Sequence, residues 1–167
     1  MLKDDRIFLR LVEHNDAAMI LSWEQLDELL NITEFDGSLS IQMMERLIQE
    51  QRDVMASGQI RFVVCLLASN IPVGLIDLYN IDFTNDAGEI GVVIVNKKNR
   101  NQGYARDGLL MVHTYAIDVL GVECLIARVD KKNKASNALF SSLGYELQES
   151  ISDTADKNEF KIMLKGI

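Results

Sequence analysis

Apolar and polar positions alternate over RIFLRLVE, Arg6 to Glu13, the period of a strand that buries one face. The period then lengthens to that of a helix in HNDAAMILSWEQLDELL, with Asn15 or Asp16 as the cap. A second helix is predicted over Ser40 to Met55, where Ile41, Met44, Leu47 or Ile48, and Met55 share a face and Gly58 ends the run. From there the chain turns β-branched. QIRFVVCLLA and IPVGLIDLYNID read as two strands joined by a tight turn at Ser69 and Asn70, and GEIGVVIV, Gly88 to Val95, follows as a third. Helical spacing returns over Tyr104 to Leu120, with Ala105, Leu109, Val112 and Ala116 in one stripe. VECLIARV is again a strand, and NKASNALFSSLG is a helix capped by Asn133 and stopped by Gly144. YELQES and EFKIML close the chain as strands. The order β-α-α-β-β-β-α-β-α-β-β describes a mixed α+β domain with a strand–helix–strand–helix unit in its second half.

Composition narrows this only a little. No repeat, low-complexity tract or Pro/Gly-rich linker divides the 167 residues, so residues 1–167 are expected to form one domain. A hydrophobic fraction of 48% and a mean hydropathy of +0.04 are those of a globular chain. The balance of 17 basic against 25 acidic residues, net −8, argues against nucleic acid as a partner and suits a cationic substrate, although charge also serves solubility. Cys65 and Cys124 each sit inside an apolar run and form no metal-ligand cluster, so neither a metal nor a disulfide is expected. The charged start MLKDDRIFLR does not resemble a signal peptide, and the apolar run Phe62 to Ala68 is far short of the roughly 20 residues that span a bilayer. A cytoplasmic location without membrane contact is the expectation.

The chemistry concentrates in NRNQGYARDGLL, Asn99 to Leu110, where a buried strand leaves the core and feeds a helix. The first turn of a helix carries backbone N–H groups with no internal partner and a partial positive charge, which together attract anions. Gly103 and Ala105 admit a phosphate close to that backbone, and Arg100 adds a full charge. A glycine turn of this kind can also serve only to redirect the chain. The triphosphate pattern GxxxxGK[ST] and the dinucleotide pattern GxGxxG are both absent. His14 and His113 have no nucleophile that the sequence pairs with them, so a hydrolase triad has no support.

RNQGYA matches Arg/Gln-x-x-Gly-x-Gly/Ala, and NKASNALFSSLGYE matches N-x-x-[SA]-x-x-[LVF]-[YLF]-x-x-x-G-[FY]. Both occur, in order, in the GNAT superfamily of N-acetyltransferases, which nearly the whole chain resembles, including the branch that acts on spermidine and on ribosomal-protein N-termini. The resemblance implies a central, mostly antiparallel twisted sheet with helices on both faces and a V-shaped cleft for acetyl-CoA. It implies that Val93 and Val95 offer backbone groups to the pantetheine arm. Arg100, Asn101, Gln102, Gly103, Tyr104 and Ala105 would hold the pyrophosphate. Asn133 would meet the pantetheine or the acetyl end, with Ser136 nearby, or act simply as a helix cap. Lys97 stands where many relatives have proline.

Acetyl transfer to an alkyl amine needs the neutral nitrogen, whereas an amine with a pKa near 10 is mostly protonated at pH 7. A base must take that proton, often through water. Glu89 is the candidate, because regular alternation places it on one face with Gly91, Val93 and Val95. Many relatives protonate the departing thiolate with a tyrosine, and alignment of the Asn133 segment puts Phe140 at that position. The general acid is therefore unassigned, with water, Ser136, Ser141 or Tyr145 open to the role. The acceptor pocket is expected from the two N-terminal helices, the loop at Asn31 to Leu39 with Glu34 and Asp36, and the region of Asp77, Asp82 and Asp86. A small amine, a peptide N-terminus and an amino-sugar nucleotide all stay open as acceptors, with the small amine placed first on net charge. A module that binds acetyl-CoA without catalysis is the second expectation, and a plain interaction domain the third. The resemblance also implies a homodimer through the closing strands as the assembly to test.

Overall fold

The computed structural model describes residues 2–26, 40–148 and 156–164. Strands β1 (Leu2–Lys3), β2 (Ile7–Leu11), β3 (Ile60–Leu66), β4 (Pro72–Asp82), β5 (Ala87–Ile94), β6 (Cys124–Asp130), β7 (Glu146–Leu147) and β8 (Lys157–Met163) form one sheet in the order β1-β2-β3-β4-β5-β6-β8-β7. The helices are α1 (Ala17–Glu24), α2 (Ile41–Glu50), α3 (Val54–Ser57), α4 (Tyr104–Tyr115) and α5 (Lys134–Ser142). Every pairing is antiparallel except β5 with β6. The expected α+β order is thus present, with β1 and α3 as short additions.

Local chemistry explains most boundaries. The hydroxyl of Ser40 accepts the Met43 N–H at 3.3 Å and starts α2. The helix expected over Ser40 to Met55 breaks near Asp53, whose carboxylate accepts the Ala56 N–H at 3.1 Å and starts α3 instead. Asp16 does not cap α1. Its two oxygens take the Arg10 guanidinium at 2.7 and 2.8 Å, and one also accepts the Glu13 N–H at 2.8 Å. The helix expected to reach Leu120 does so with a wider final turn, a π-helix over Ala116–Leu120.

The sheet buries both faces, but with different partners. On one face Ile7, Leu9, Phe62, Val64, Ile76, Leu78, Ile90, Leu125 and Ala127 pack against Leu109, Val112 and Ala116 of the long helix and Phe140 of α5. Burying each such side chain contributes roughly 1.5–3 kcal/mol. Gly108 lets α4 lie directly on β4, because a Cβ there would come within 2.6 Å of the Ile76 side chain. On the other face Phe8, Val63, Cys65 and Leu75 pack against Ala17 and Ile20 of α1 and Met44 and Ile48 of α2. That second cluster ends at Val93. Farther along the same face the side chains become polar.

The cleft comes from one departure in the sheet. β5 and β6 pair only through Ala87 with Cys124, Gly88 with Leu125 and Glu89 with Ile126. Beyond Glu89, β5 continues to Ile94 against β4 alone. The two parallel strands diverge and leave one edge of β5 open toward the start of α4.

Candidate active site

Glu89 stands opposite Tyr79 across the β4–β5 pair and beside Ile126 across β5–β6. The register from Glu89 to Ile94 is regular. The irregularity of this pair falls between Tyr79 and Asp82, where Asn80 has φ 48°. Alternation therefore sends Glu89 to the polar part of the second face, as expected. Its carboxylate forms an ion pair with Arg128, two residues beyond Ile126, and accepts the Asn80 Nδ2–H at 3.0 Å. Arg128 also reaches Glu159 at 3.3 Å. Burial, then the charge of Glu89, pushes the Tyr79 phenol up to about 12, so Tyr79 keeps its proton at neutral pH. Tyr79, Asn80 and Arg128 were not singled out in the sequence. Only the strand register brings them to Glu89, although Asp77 and Tyr79 in period-2 alternation mark a polar stripe on β4.

A second charged group lies nearer α1. Arg61 binds Asp77 through Nε at 2.5 Å and through its terminal nitrogen at 3.0 Å, and lies 3.8 Å from Glu24. The other expected acids have structural duties. Asp82 accepts the N–H groups of Thr84 and Asn85 at 2.9 and 3.2 Å, whereas Asp86 serves through its backbone carbonyl, which accepts the N–H groups of Glu123 and Cys124, and its side chain is exposed. Glu34 and Asp36 lie outside the described residues.

The turn before α4 is a backbone concavity. Asn101 has φ 58° and Gly103 has φ 86°, a left-handed conformation that suits glycine. The first helical hydrogen bond runs from the Asp107 N–H to the Gly103 carbonyl at 3.0 Å, so the amides of Tyr104, Ala105 and Arg106 precede it at the positive end of the helix. Asn101, Gln102 and Gly103 are exposed, and Tyr104 and Ala105 half-buried. One unforeseen residue enters this turn. Arg6, in the bend just before β2, donates to the Gln102 carbonyl at 2.6 Å, pairs with Asp107, and lies 5.5 Å from the centre of the Tyr104 ring.

Two expected contacts are arranged differently. Arg100 was expected to present its charge to a phosphate. Its guanidinium instead donates to the carbonyls of Ile94 and Val95, each at 2.8 Å, and so pins the end of β5. Val95 donates its N–H to the Val73 carbonyl at 2.9 Å. Backbone direction alternates along a strand, so Val93, opposite Leu75, also turns its polar groups to β4. The groups facing the open edge belong to Val92 and Ile94, and the Ile94 carbonyl is the one that Arg100 takes. Asn133 acts as a cap, accepting the Ser136 N–H at 3.1 Å. Phe140 is buried against Tyr145 and Phe160, with ring centres at 5.0 and 6.3 Å.

These features fit acetyl-CoA: an open strand edge, a left-handed glycine turn, and a row of amides beginning a helix. The comparisons with known proteins agree. Residues 6–146 match the family model described as an acetyltransferase (GNAT) domain. The chain is 28% identical over 153 residues to the uncharacterised N-acetyltransferase YoaA of Bacillus subtilis, covering 87% of this chain and 82% of that one. It is 24% identical over 156 residues to the N-acetyltransferase p20 of Bacillus licheniformis, covering 91% and 85%. Among solved structures, spermidine N-acetyltransferase from Vibrio cholerae in complex with CoA and spermine superimposes with a TM-score of 0.83 at 18% identity, over 96% of this chain and 97% of that one. FdhC, a nucleotide-linked sugar GNAT, gives 0.80 at 21% identity over 97% and 89%.

Proposed function

Because this chain belongs to the GNAT acetyltransferase family, whose members use acetyl-CoA, we propose that it transfers the acetyl group to the primary amine of a small cationic acceptor. The observation that carries this is the polar face at the β5–β6 divergence. Glu24, Asp77, Glu89 and Glu159 lie on it, held by Arg61 and Arg128, with Lys161 farther out on β8, so carboxylates line the place where an amine would enter. A protonated amine is drawn to such a field. A peptide N-terminus and an amino-sugar nucleotide remain the acceptors to compare with it.

When bound, acetyl-CoA supplies a thioester carbonyl open to attack. Val92 and Ile94 offer backbone groups to the pantetheine arm in place of Val93 and Val95. Gly103, Tyr104 and Ala105 hold the pyrophosphate chiefly by N–H groups, flanked by Asn101 and Gln102. Arg100 supports the site by bracing the strand end. Asn133 and Ser136 border it from the start of α5. Glu89 takes the proton of the attacking amine through water. The new C–N bond then forms as the C–S bond breaks, without an acyl-enzyme. Arg128 and Asn80 hold the carboxylate in place. A thiol pKa of about 8.5 makes the thiolate a tolerable leaving group, so buried Phe140 need supply no proton.

A second reading has its own support. The Arg128 ion pair occupies the candidate base Glu89, as suits a module that binds acetyl-CoA without turnover. Thiol release from acetyl-CoA with spermidine, N-terminal peptides and amino-sugar nucleotides separates the two. Release with spermidine, falling about 10²–10⁴-fold in Glu89→Gln, is the expected result. Binding without release from any amine would favour the non-catalytic module.

A further inference from the structure

We propose that Arg6 is a positioning residue for the cofactor's pyrophosphate, acting by masking the carboxylate of Asp107. This rests on the family reading of the Gly103 turn. Asp107 sits in the first turn of α4, where a negative charge strengthens the helix but opposes an anion at the same end. Arg6 answers that charge from the bend between β1 and β2, 101 residues earlier in the chain. Its ion pair with Asp107, its hydrogen bond to the Gln102 carbonyl and its position over Tyr104 span the whole turn. The Arg6 guanidinium lies against Gly103 itself, 2.8 Å from where a Cβ would stand.

The placement of Arg6 is itself built. Asp4 accepts the N–H groups of Arg6 and Ile7, both at 2.7 Å, and the Arg6 carbonyl accepts the Leu67 N–H at 2.8 Å. The backbone is thereby held on both sides while the side chain remains half exposed at 49%. A cation needed only for stability would gain little at such a wet site. A cation that cancels an acid beside an anion site has its effect when the anion arrives.

Calorimetric titration with CoA, alongside steady-state kinetics and thermal melting, tests the idea through opposite signs. Arg6→Ala weakens CoA binding about tenfold and leaves kcat within about twofold, by loss of one screening charge. Asp107→Asn tightens CoA binding about threefold even as the helix loses its favourable first-turn acid. The double variant returns to within about threefold of wild type. Unchanged affinity in Arg6→Ala, weaker binding in Asp107→Asn, or a double variant as weak as Arg6→Ala would each overturn the proposal. Should Arg6→Ala fail to fold, the Asp107→Asn arm decides alone. Failure of the wild-type protein to bind CoA would instead overturn the family reading of the turn.

Discussion

Arg61 and Arg128 each carry the positive charge that lets two acids share a small volume. Arg61 bridges Asp77 and Glu24 where the sheet meets α1, and its side chain is only 17% exposed. Its replacement by methionine keeps most of the volume and leaves two carboxylates facing each other. Arg61→Met should therefore cost about 3 kcal/mol, read as a lower urea midpoint, and Asp77→Asn in the same chain should recover part of it. At this scale the sequence was informative about residue types and less so about partners. Glu89 was legible because strand alternation is local. Its contacts with Arg128 and Asn80 were not, since they depend on the pairing of three strands and on one irregular step near Asn80.

The elements were easier to see than the atoms they offer. Gly58 and Gly144 end helices with φ of 63° and 86°, and Pro72 begins a strand, so punctuation marked the boundaries where packing had little say. The phase of the backbone was hidden. Whether Val92 or Val93 faces the open edge turns on which residues of β4 and β5 form the hydrogen-bonded pairs, and side-chain pattern carries no record of that. The place of the Arg100 side chain was hidden for a related reason: its reach back to Ile94 and Val95 depends on how the chain folds between Asn96 and Asn99. Phe140 belongs at this scale too. It locks α5 to β8 through Phe160, and Phe140→Ala should cost about 3–5 kcal/mol in chemical denaturation. Phe140→Tyr should not raise turnover, because the ring lies in the core.

Across the whole molecule, the two apolar clusters divide the work. One joins the sheet to α4 and α5, and the other to α1 and α2. His113 lies within the first assembly, 2.8 Å from the Tyr145 hydroxyl, and burial lowers its pKa to about 4. The unfolded chain protonates this histidine near 6.5, whereas the fold resists until about 4. Stability is therefore fully present above about pH 6.5 and is lost as pH falls toward 4, by about 2–3 kcal/mol in all. Melting curves from pH 8 to 4 check the slope, which should flatten when His113 is replaced by glutamine. Among the described residues no helix is long and apolar enough to cross a membrane.

The divergence of β5 from β6 has a consequence for dynamics. A sheet with rungs missing on one side of a strand leaves those amides to exchange with solvent, and a ligand lying along that edge replaces the rungs. Deuterium uptake at Val92 and Ile94 should slow markedly on saturation with acetyl-CoA. Uptake at Val93 and Val95, already bonded to β4, should hardly change. The cofactor would then count as a temporary ninth strand, with melting temperature rising as its concentration is raised.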